Sequence, residues 1–133
     1  MIVVDSNVVV YLYLPTVLSR QAEKLRMIEP EWAAPRLWRS EMRSALGLYL
    51  RKGLITLEQA YSILSSAETL FTASEFEVPS FEVLQLVNES SCSAYDCEFV
   101  ALAKMLGVKL VSSDKKLLKA FPEITVSLAI AGA

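Results

Sequence analysis

The sequence predicts an α/β domain in which helices cover both faces of a mainly parallel sheet of about five strands. Short apolar runs alternate with longer amphipathic segments, a pattern typical of strands joined by crossover helices. The 133 residues are the usual length of one domain, and a hydrophobic fraction of 53% is enough to fill a core. Because no repeat or linker interrupts the pattern, we expect one domain over residues 1–133.

The first half of the chain is divided by proline and glycine. The run "IVV" reads as a buried strand, and Pro15 ends the helix that follows it. Pro35 suits the first turn of a helix, and Gly53 suits a left-handed helix terminus. The predicted elements are a strand at 2–4, helices at 6–14 and 18–28, a strand at 32–34 and a helix from Pro35 to about Lys52.

The second half carries helix caps that can be read from the sequence. Thr56 and Gln59 form a capping box, Ser93 begins another helix and Gly107 ends it. The predicted helices cover residues 57–71, 81–89, 94–106 and 115–120, and the predicted strands cover 76–79, 108–111 and 123–128.

Composition excludes several kinds of chemistry. The chain has no histidine, which rules out Ser-His-Asp triads, Cys-His pairs and the commonest zinc sites. We expect its two cysteines, Cys92 and Cys97, to be small buried hydrophobic residues. A net charge of −2 gives no overall attraction for nucleic acid, so any phosphate contact must come from a local basic patch.

The N-terminal apolar run does not predict a membrane protein. No stretch approaches the roughly 18 uninterrupted apolar residues of a membrane span. The opening run lacks a basic segment and is cut by Asp5, which is unlike a signal peptide. We therefore expect no membrane association and a cytoplasmic location.

The only three aspartates of the chain are Asp5, Asp96 and Asp114. Asp5 and Asp114 follow predicted strands, and Asp96 lies in the first turn of a crossover helix. In a parallel sheet the strand C-termini share one edge, and the crossover helices begin at that same edge. All three aspartates are therefore predicted to lie at the edge where open α/β sheets bind ligands.

Glu41 joins this group by a different argument. It interrupts a predicted apolar stripe of Leu37, Trp38, Ala45 and Leu48, about 9 Å into its helix. A carboxylate on a buried stripe is unfavourable unless it is paired, and neighbouring carboxylates increase the penalty. A divalent cation removes both problems, and oxygen-only ligands favour Mg²⁺ or Mn²⁺.

Simpler roles stay open for each acidic residue. Asp5 or Asn7 and Asp114 suit helix N-caps, and Asp96 completes a Ser-x-x-Asp pattern. Glu41 has the option of an ion pair with Arg39 or Arg43. The convergence of four carboxylates favours the metal site.

Three segments resemble the PIN-domain family, and within it the VapC-like toxins of toxin–antitoxin pairs. They are "VVDSNVVVYLYL", "APRLWRSEMRSAL" and "SAYDCEFVALAKMLGVKLVSSDKKLLKAF", and the resemblance covers essentially the whole chain. It implies a small three-layer α/β/α fold. Transferred by position, the acidic quartet is Asp5, Glu41, Asp96 and Asp114. Ser112 stands where the family often has Thr, and Asn7 matches a polar position after the first Asp.

The resemblance implies a ribonuclease that depends on one or two Mg²⁺ or Mn²⁺ ions and leaves a 5′-phosphate. Asp5 and Asp96 are the preferred ligands, and Glu41 and Asp114 ligate the metal or orient the attacking water. Ser112 and Asn7 would hold the carboxylates by hydrogen bonds. The family also implies a homodimer and a VapB-like antitoxin whose tail blocks the acidic pocket.

Basic residues beside the acids predict contacts with RNA phosphates. They are Arg36, Arg39, Arg43, Lys115 and Lys116. For Lys119 a solvated helix face is the simpler interpretation. Tyr11, Tyr13, Trp38 and Tyr49 have the option of stacking on bases, but their helical spacing favours the core or a dimer interface.

Two other functional classes stay open. A receiver-type phospho-acceptor would also place acids at this edge, although Asn7 stands where a second acid is usual. A non-catalytic PIN-like module that binds RNA or an antitoxin would keep the fold without turnover.

Overall fold

A computed structural model describes all 133 residues and contains a single five-stranded sheet. Every neighbouring pair of strands is parallel, and the order is β3-β2-β1-β4-β5. The strands are β1 (Ile2–Val4), β2 (Trp32–Pro35), β3 (Glu75–Phe76), β4 (Leu110–Ser112) and β5 (Thr125–Ser127). The prediction of a mainly parallel α/β domain is confirmed.

The strand order reverses between β1 and β4. The chain moves outward from β1 through β2 to β3, and then returns to place β4 on the other side of β1. Val3 pairs with Leu110 and Val4 with Val111, so the two strands end side by side. Ligands of open α/β sheets bind at such a switch point, outside the strand C-termini.

Eight helices surround the sheet. They are α1 (Ser6–Tyr13), α2 (Ser19–Ile28), α3 (Trp38–Arg51), α4 (Leu57–Leu70), α5 (Ser80–Asn88), α6 (Ala94–Leu106), α7 (Lys115–Ala120) and α8 (Leu128–Ala131). α1 packs against α2 and α3, whereas α5 packs against α6. α6 in turn lies on the central strands, which completes the predicted helical layers.

The predicted helix caps are confirmed. Thr56 and Gln59 form both hydrogen bonds of the capping box at α4. Ser93 caps α6 by accepting from the backbone N–H of Asp96. Gly53 and Gly107 follow α3 and α6 with φ of 69° and 66°, a backbone conformation that favours glycine.

Several element boundaries differ from the prediction, most of them by one or two residues. Pro35 does not begin a helix: it is the last residue of β2, because the backbone N–H of Arg36 still bonds to β3 at Phe76. α3 therefore begins at Trp38, and β3 has only two residues, so that it begins one residue earlier and ends three residues earlier than expected. α8 is not predicted, because its four residues are too few to show a helical pattern.

The core is one cluster centred on β1 and α6. Val3 and Val4 are fully buried, and Trp38 packs against Phe71 with ring centroids 4.8 Å apart. Cys92 and Cys97 are buried and free, as predicted, and burial raises the pKa of both thiols. None of the helices has the length and apolar character that crossing a bilayer requires.

Candidate active site

Asp5 is a buried carboxylate at the C-terminal end of the central strand β1. Only 6% of its surface is exposed. Its Oδ1 accepts a hydrogen bond from the backbone N–H of Ser6 at 2.8 Å, so it does cap α1. Its Oδ2 accepts one from the Ser112 hydroxyl at 2.7 Å. The cap and the candidate ligand are therefore the same residue.

The turn after β4 is held against α1 at two points. The Ser112 hydroxyl donates to Asp5 and also accepts from the backbone N–H of Asp114 at 3.0 Å. The hydroxyls of Ser113 and Tyr11 are hydrogen-bonded at 2.9 Å. These contacts fix the position of Asp114 relative to Asp5.

Glu41 reaches the same place from another helix. It lies in the first turn of α3, closer to the sheet edge than predicted, because α3 begins at Trp38. Its Oε1 accepts a hydrogen bond of 2.7 Å from the Ser6 hydroxyl. The buried residues of α3 are Trp38, Met42 and Leu46. Glu41 is therefore half-buried at the margin of the buried face rather than on the predicted stripe.

Asp96 and Asp114 form the outer part of the site. Asp114 caps α7 and accepts from the backbone N–H of Lys116 at 2.8 Å. Asp96 is partly buried in the first turn of α6, and its carboxylate makes no hydrogen bond within the protein. The reciprocal half of the predicted capping pattern at Ser93 is thus not formed.

The acidic side chains influence one another electrostatically. Burial, together with the charges of Glu41 and Asp96, raises the pKa of Asp5 to about 6, although the hydrogen bond from Ser112 opposes the rise. Burial and the charge of Asp96 raise the pKa of Glu41. Burial and the charge of Asp114 raise the pKa of Asp96. The four predicted residues are therefore neighbours in the fold.

The donor set is chemically suited to Mg²⁺ or Mn²⁺, since it consists of oxygen atoms alone. Asn7 adds a buried side-chain oxygen, Oδ1, that accepts no hydrogen bond from the protein. Its Nδ2 lies 3.4 Å from Asp5 Oδ2. However, no three acidic or cysteine side chains come close enough together to hold an ion as they stand. Metal binding by the quartet stays a prediction.

The model of the family described as "PIN domain" matches residues 2–122. The chain belongs to the PIN-domain family. The matched segment begins in β1 and extends beyond α7, so it contains every acidic residue of the candidate site.

Relatives with known sequences or structures agree with this assignment. A protein named Ribonuclease VapC3 from Pyrobaculum aerophilum is 31% identical over 128 residues, which cover 92% of this chain and 96% of that protein. The crystal structure of PAE2754 from the same organism has a TM-score of 0.78 at 22% identity and covers 98% of this chain and 85% of that one. The crystal structure of FitAcB from Neisseria gonorrhoeae has a TM-score of 0.73 at 18% identity, with 97% and 99% covered. Within its family this PIN domain is VapC-like.

Arg39 of this PIN domain already has acidic partners within the protein, which makes it a weaker candidate for contact with RNA than the other predicted basic residues. Its guanidinium pairs with Glu75 at 2.6 Å and with Glu68, and it lies over the ring of Trp38. Trp38 donates to the same Glu75 carboxylate at 2.6 Å. These contacts lock α3 to α4 and β3. They also exclude the ion pair with Glu41 that the sequence left open.

The other predicted basic residues keep their charges available. Arg36, Arg43, Lys115 and Lys116 are exposed and form no ion pair. Arg36 nevertheless lies near Glu75, because its charge lowers the pKa of that carboxyl alongside the pairing with Arg39. Lys116 lies beside the acids: its backbone N–H bonds to Asp114, and its charge partly offsets the rise in the pKa of Asp96 that burial and Asp114 cause.

The aromatic residues are mainly structural, as their spacing predicts. Trp38 is fully buried. Tyr11 and Tyr13 are partly buried, and the Tyr13 hydroxyl donates to the backbone carbonyl of Ser66 at 3.3 Å. Tyr49 lines a cavity of about 530 Å³ that is mostly apolar and contains none of the acidic residues. That cavity lies apart from the candidate active site.

Sequence reasoning missed two residues of the site. Ser6 is not among the predicted site residues, although it is buried and its hydroxyl donates to Glu41. Glu98 is not among them either, yet burial and the charge of Glu41 raise its pKa, so it lies beside the quartet. The signal for Ser6 was its place directly after Asp5, where a short hydroxyl can face another carboxylate. Nothing in the sequence indicates that Glu98 faces α3.

Proposed function

We propose that the protein is a Mg²⁺- or Mn²⁺-dependent endoribonuclease and the toxin of a VapBC-type toxin–antitoxin pair. One observation carries the proposal. A buried carboxylate, Asp5, lies at the switch point of the sheet with three further acids near it. The similarity to a protein named Ribonuclease VapC3 supports the choice of RNA as substrate.

The residues that would hold the metal are Asp5 and Asp96, with Glu41 and Asp114 as direct or water-mediated ligands. Bound there, one or two ions would lower the pKa of a water molecule and offset charge on the phosphoryl oxygens. Such an ion also offsets the repulsion that raises the pKa of these carboxyls.

The protein's own groups would orient the reaction. Ser112 holds Asp5 through Oδ2, and Ser6 holds Glu41 through Oε1. These bonds leave Glu41 Oε2 free to accept a proton from the attacking water. Lys115 and Lys116 at the start of α7, together with Arg36 after β2 and Arg43 on α3, would bind the RNA phosphates.

We also propose a homodimer and a VapB-like antitoxin as partners. The support is the VapC-like character of the domain. An antitoxin that supplies a basic side chain would find the free Asp96 carboxylate within the acidic site.

The receiver-type alternative loses support from the topology. Receivers of the flavodoxin-like type have the strand order 2-1-3-4-5. This sheet has the order 3-2-1-4-5, and Asn7 occupies the place of a second acid. The non-catalytic alternative is an outcome of the experiment below.

The test is cleavage of a broad panel of labelled RNAs by the pure protein with Mg²⁺ or Mn²⁺, and with EDTA. Asp5→Asn removes the central charge at nearly constant size, and Glu58→Gln removes an exposed charge on α4 as the matched control. We expect metal-dependent cleavage by the wild type and Glu58→Gln only. If the wild type does not cleave any RNA, or if Asp5→Asn cleaves as fast as the wild type, the proposal of a nuclease centred on Asp5 is wrong. Phosphate incorporation from a small phosphodonor would support a receiver instead.

A further inference from the structure

A polar cleft lies next to the candidate active site, between α7 and the turn that precedes α6. Its volume is about 450 Å³. The lining residues are Glu89, Ser90, Ser91, Lys116, Lys119 and Ala120. Only Ala120 is apolar, so the cleft is suited to a charged or strongly polar ligand rather than to an apolar one.

Two lysines give this cleft its charge. Lys116 and Lys119 are three residues apart on α7 and therefore project from the same side of the helix. Neither forms an ion pair, and both are exposed. Two cations against the single Glu89 leave a net positive lining, which favours an anionic ligand.

The cleft is continuous with the acidic site through Lys116. The backbone N–H of Lys116 donates to Asp114 Oδ1 at 2.8 Å, so the residue that lines the cleft also contacts the acidic site. A polymer with a charge on every unit can occupy both places at once. One phosphate would lie at the acidic site, and a neighbouring phosphate would lie in the cleft.

The wall of the cleft opposite α7 is the turn that contains Ser90 and Ser91, and hydrogen bonds within the protein hold it in place. The Ser90 hydroxyl donates to the carbonyl of Leu86 at 2.7 Å and accepts from the backbone N–H of Cys92 at 3.2 Å. Ser90 is thus committed to holding the turn, whereas the Ser91 side chain is exposed and makes no hydrogen bond. Ser91 is therefore free to donate its hydroxyl to a ligand.

We propose that this cleft binds an RNA backbone phosphate next to the one that is cleaved, through Lys116, Lys119 and Ser91. The inference rests on the proposed function and adds a substrate subsite to it. The simpler interpretation of Lys119 from the sequence is a solvated surface lysine. This proposal makes it a substrate-binding residue instead. Lys115 does not line the cleft and contributes less.

The test measures RNA binding without cleavage. The parent protein carries Asp5→Asn, and its affinity for a labelled single-stranded RNA is measured as a function of salt. Lys119→Gln is compared with Lys104→Gln, an exposed lysine of α6 that does not line this cleft. For single strands each lost phosphate contact reduces the salt slope, d log K/d log[salt], by about 0.7.

We expect Lys119→Gln to weaken binding several-fold and to reduce the slope by about 0.7, while Lys104→Gln changes neither. Glu89→Gln should bind more tightly than the parent, a gain that loss of stability cannot produce. In the active protein, Lys119→Gln should raise KM and leave kcat unchanged, as expected for uniform binding.

Equal behaviour of the Lys119 and Lys104 variants, with no gain from Glu89→Gln, would overturn the subsite and leave the nuclease intact. Absence of RNA binding by the parent, together with absence of cleavage by the active protein, would overturn both. A titration with inorganic phosphate separates the two sources of the anion. Saturation of the cleft by micromolar phosphate, with RNA affinity unaffected, would assign it to a free anion and overturn the RNA subsite.

Discussion

The candidate active site has two unlike halves. The inner half contains Asp5 and Glu41, and each carboxylate accepts a hydrogen bond from a buried serine hydroxyl. The outer half contains Asp96 and Asp114, which belong to α6 and to the turn before α7. Asp96 has no hydrogen bond from the protein to its carboxylate, and Asp114 has only a backbone N–H.

This difference suggests different roles for the two halves: the fold holds the inner carboxylates in place, and the outer carboxylates are free to bind a ligand. The inner carboxylates are desolvated and oriented by the fold, so they are pre-positioned before any ligand arrives. The outer carboxylates keep free oxygen lone pairs for an ion or a water molecule. The contrast assigns rigidity to one half and ligand exchange to the other, and substitutions in each half test these two roles.

The largest effect is expected from the outer half. Asp96→Asn should reduce cleavage by more than about 1,000-fold, beyond the 10–100-fold typical of a supporting residue. It should change the free energy of unfolding by less than about 0.5 kcal/mol, because Asp96 is partly exposed and its carboxylate holds no partner. Cleavage assays, Mn²⁺ calorimetry and denaturant unfolding measure the three quantities. If Asp96→Asn binds Mn²⁺ as tightly as the wild type, Asp96 is not a metal ligand and is only a residue of the first helical turn.

The next effect concerns the stability of the inner half. The pKa of Asp5 is raised to about 6 from an ordinary value of 3.8, so the native state binds this proton more tightly than the unfolded state. Stability should therefore fall as pH rises from about 4 to 6, by on the order of 3 kcal/mol in EDTA.

Unfolding by urea at pH 4 and pH 7 measures this loss, with Asp5→Asn as the reference. The variant should lack the Asp5 contribution and be more stable than the wild type at pH 7. An identical pH dependence in both proteins would show that Asp5 is not the desolvated acid described here.

Ser112→Ala should follow with a 10–100-fold loss of cleavage, since it removes the hydroxyl that orients Asp5. Ser113→Ala is the matched control: it removes only the contact with Tyr11. We expect the control to lose less activity than Ser112→Ala when initial rates are compared. Equal losses would assign the effect to the shape of the turn rather than to Asp5.

The smallest effect is expected from Ser6→Ala, roughly 10-fold in kcat, because it frees only one oxygen of Glu41. Ser6→Thr keeps a hydroxyl and should recover part of the rate. A full rate in Ser6→Ala would mean that Glu41 needs no orientation by α1.

A residue of the site could be predicted when its role follows from nearby residues in the sequence, and could not when its contacts are with residues far along the chain. Asp5, Asp96 and Asp114 follow from local pattern, because each lies at a strand end or in a first helical turn. The Ser6–Glu41 contact joins residues 35 positions apart, and no local pattern encodes it. The ion pairs of Arg39 are equally absent from the local pattern, since its partners Glu68 and Glu75 come from α4 and β3.

The errors in the fold have equally specific causes. Pro35 is compatible both with a first helical turn and with the end of a strand. The hydrogen bond from the backbone N–H of Arg36 to the carbonyl of Phe76 extends β2 through Pro35, so that Pro35 ends the strand. The short β3 and α8 depend on neighbours for stability, β3 on β2 and α8 on α2 and β5.

The most direct test of the account is the position of Mn²⁺ in crystals of the protein, located by anomalous scattering. We predict an ion bound between Asp5 and Asp96, with the hydrogen bond from Ser112 to Asp5 retained. Crystals of Asp96→Asn should lack that ion. An ion that binds elsewhere, or no ion at saturating Mn²⁺, would contradict the claim that this acidic site is the centre of a metal-dependent nuclease.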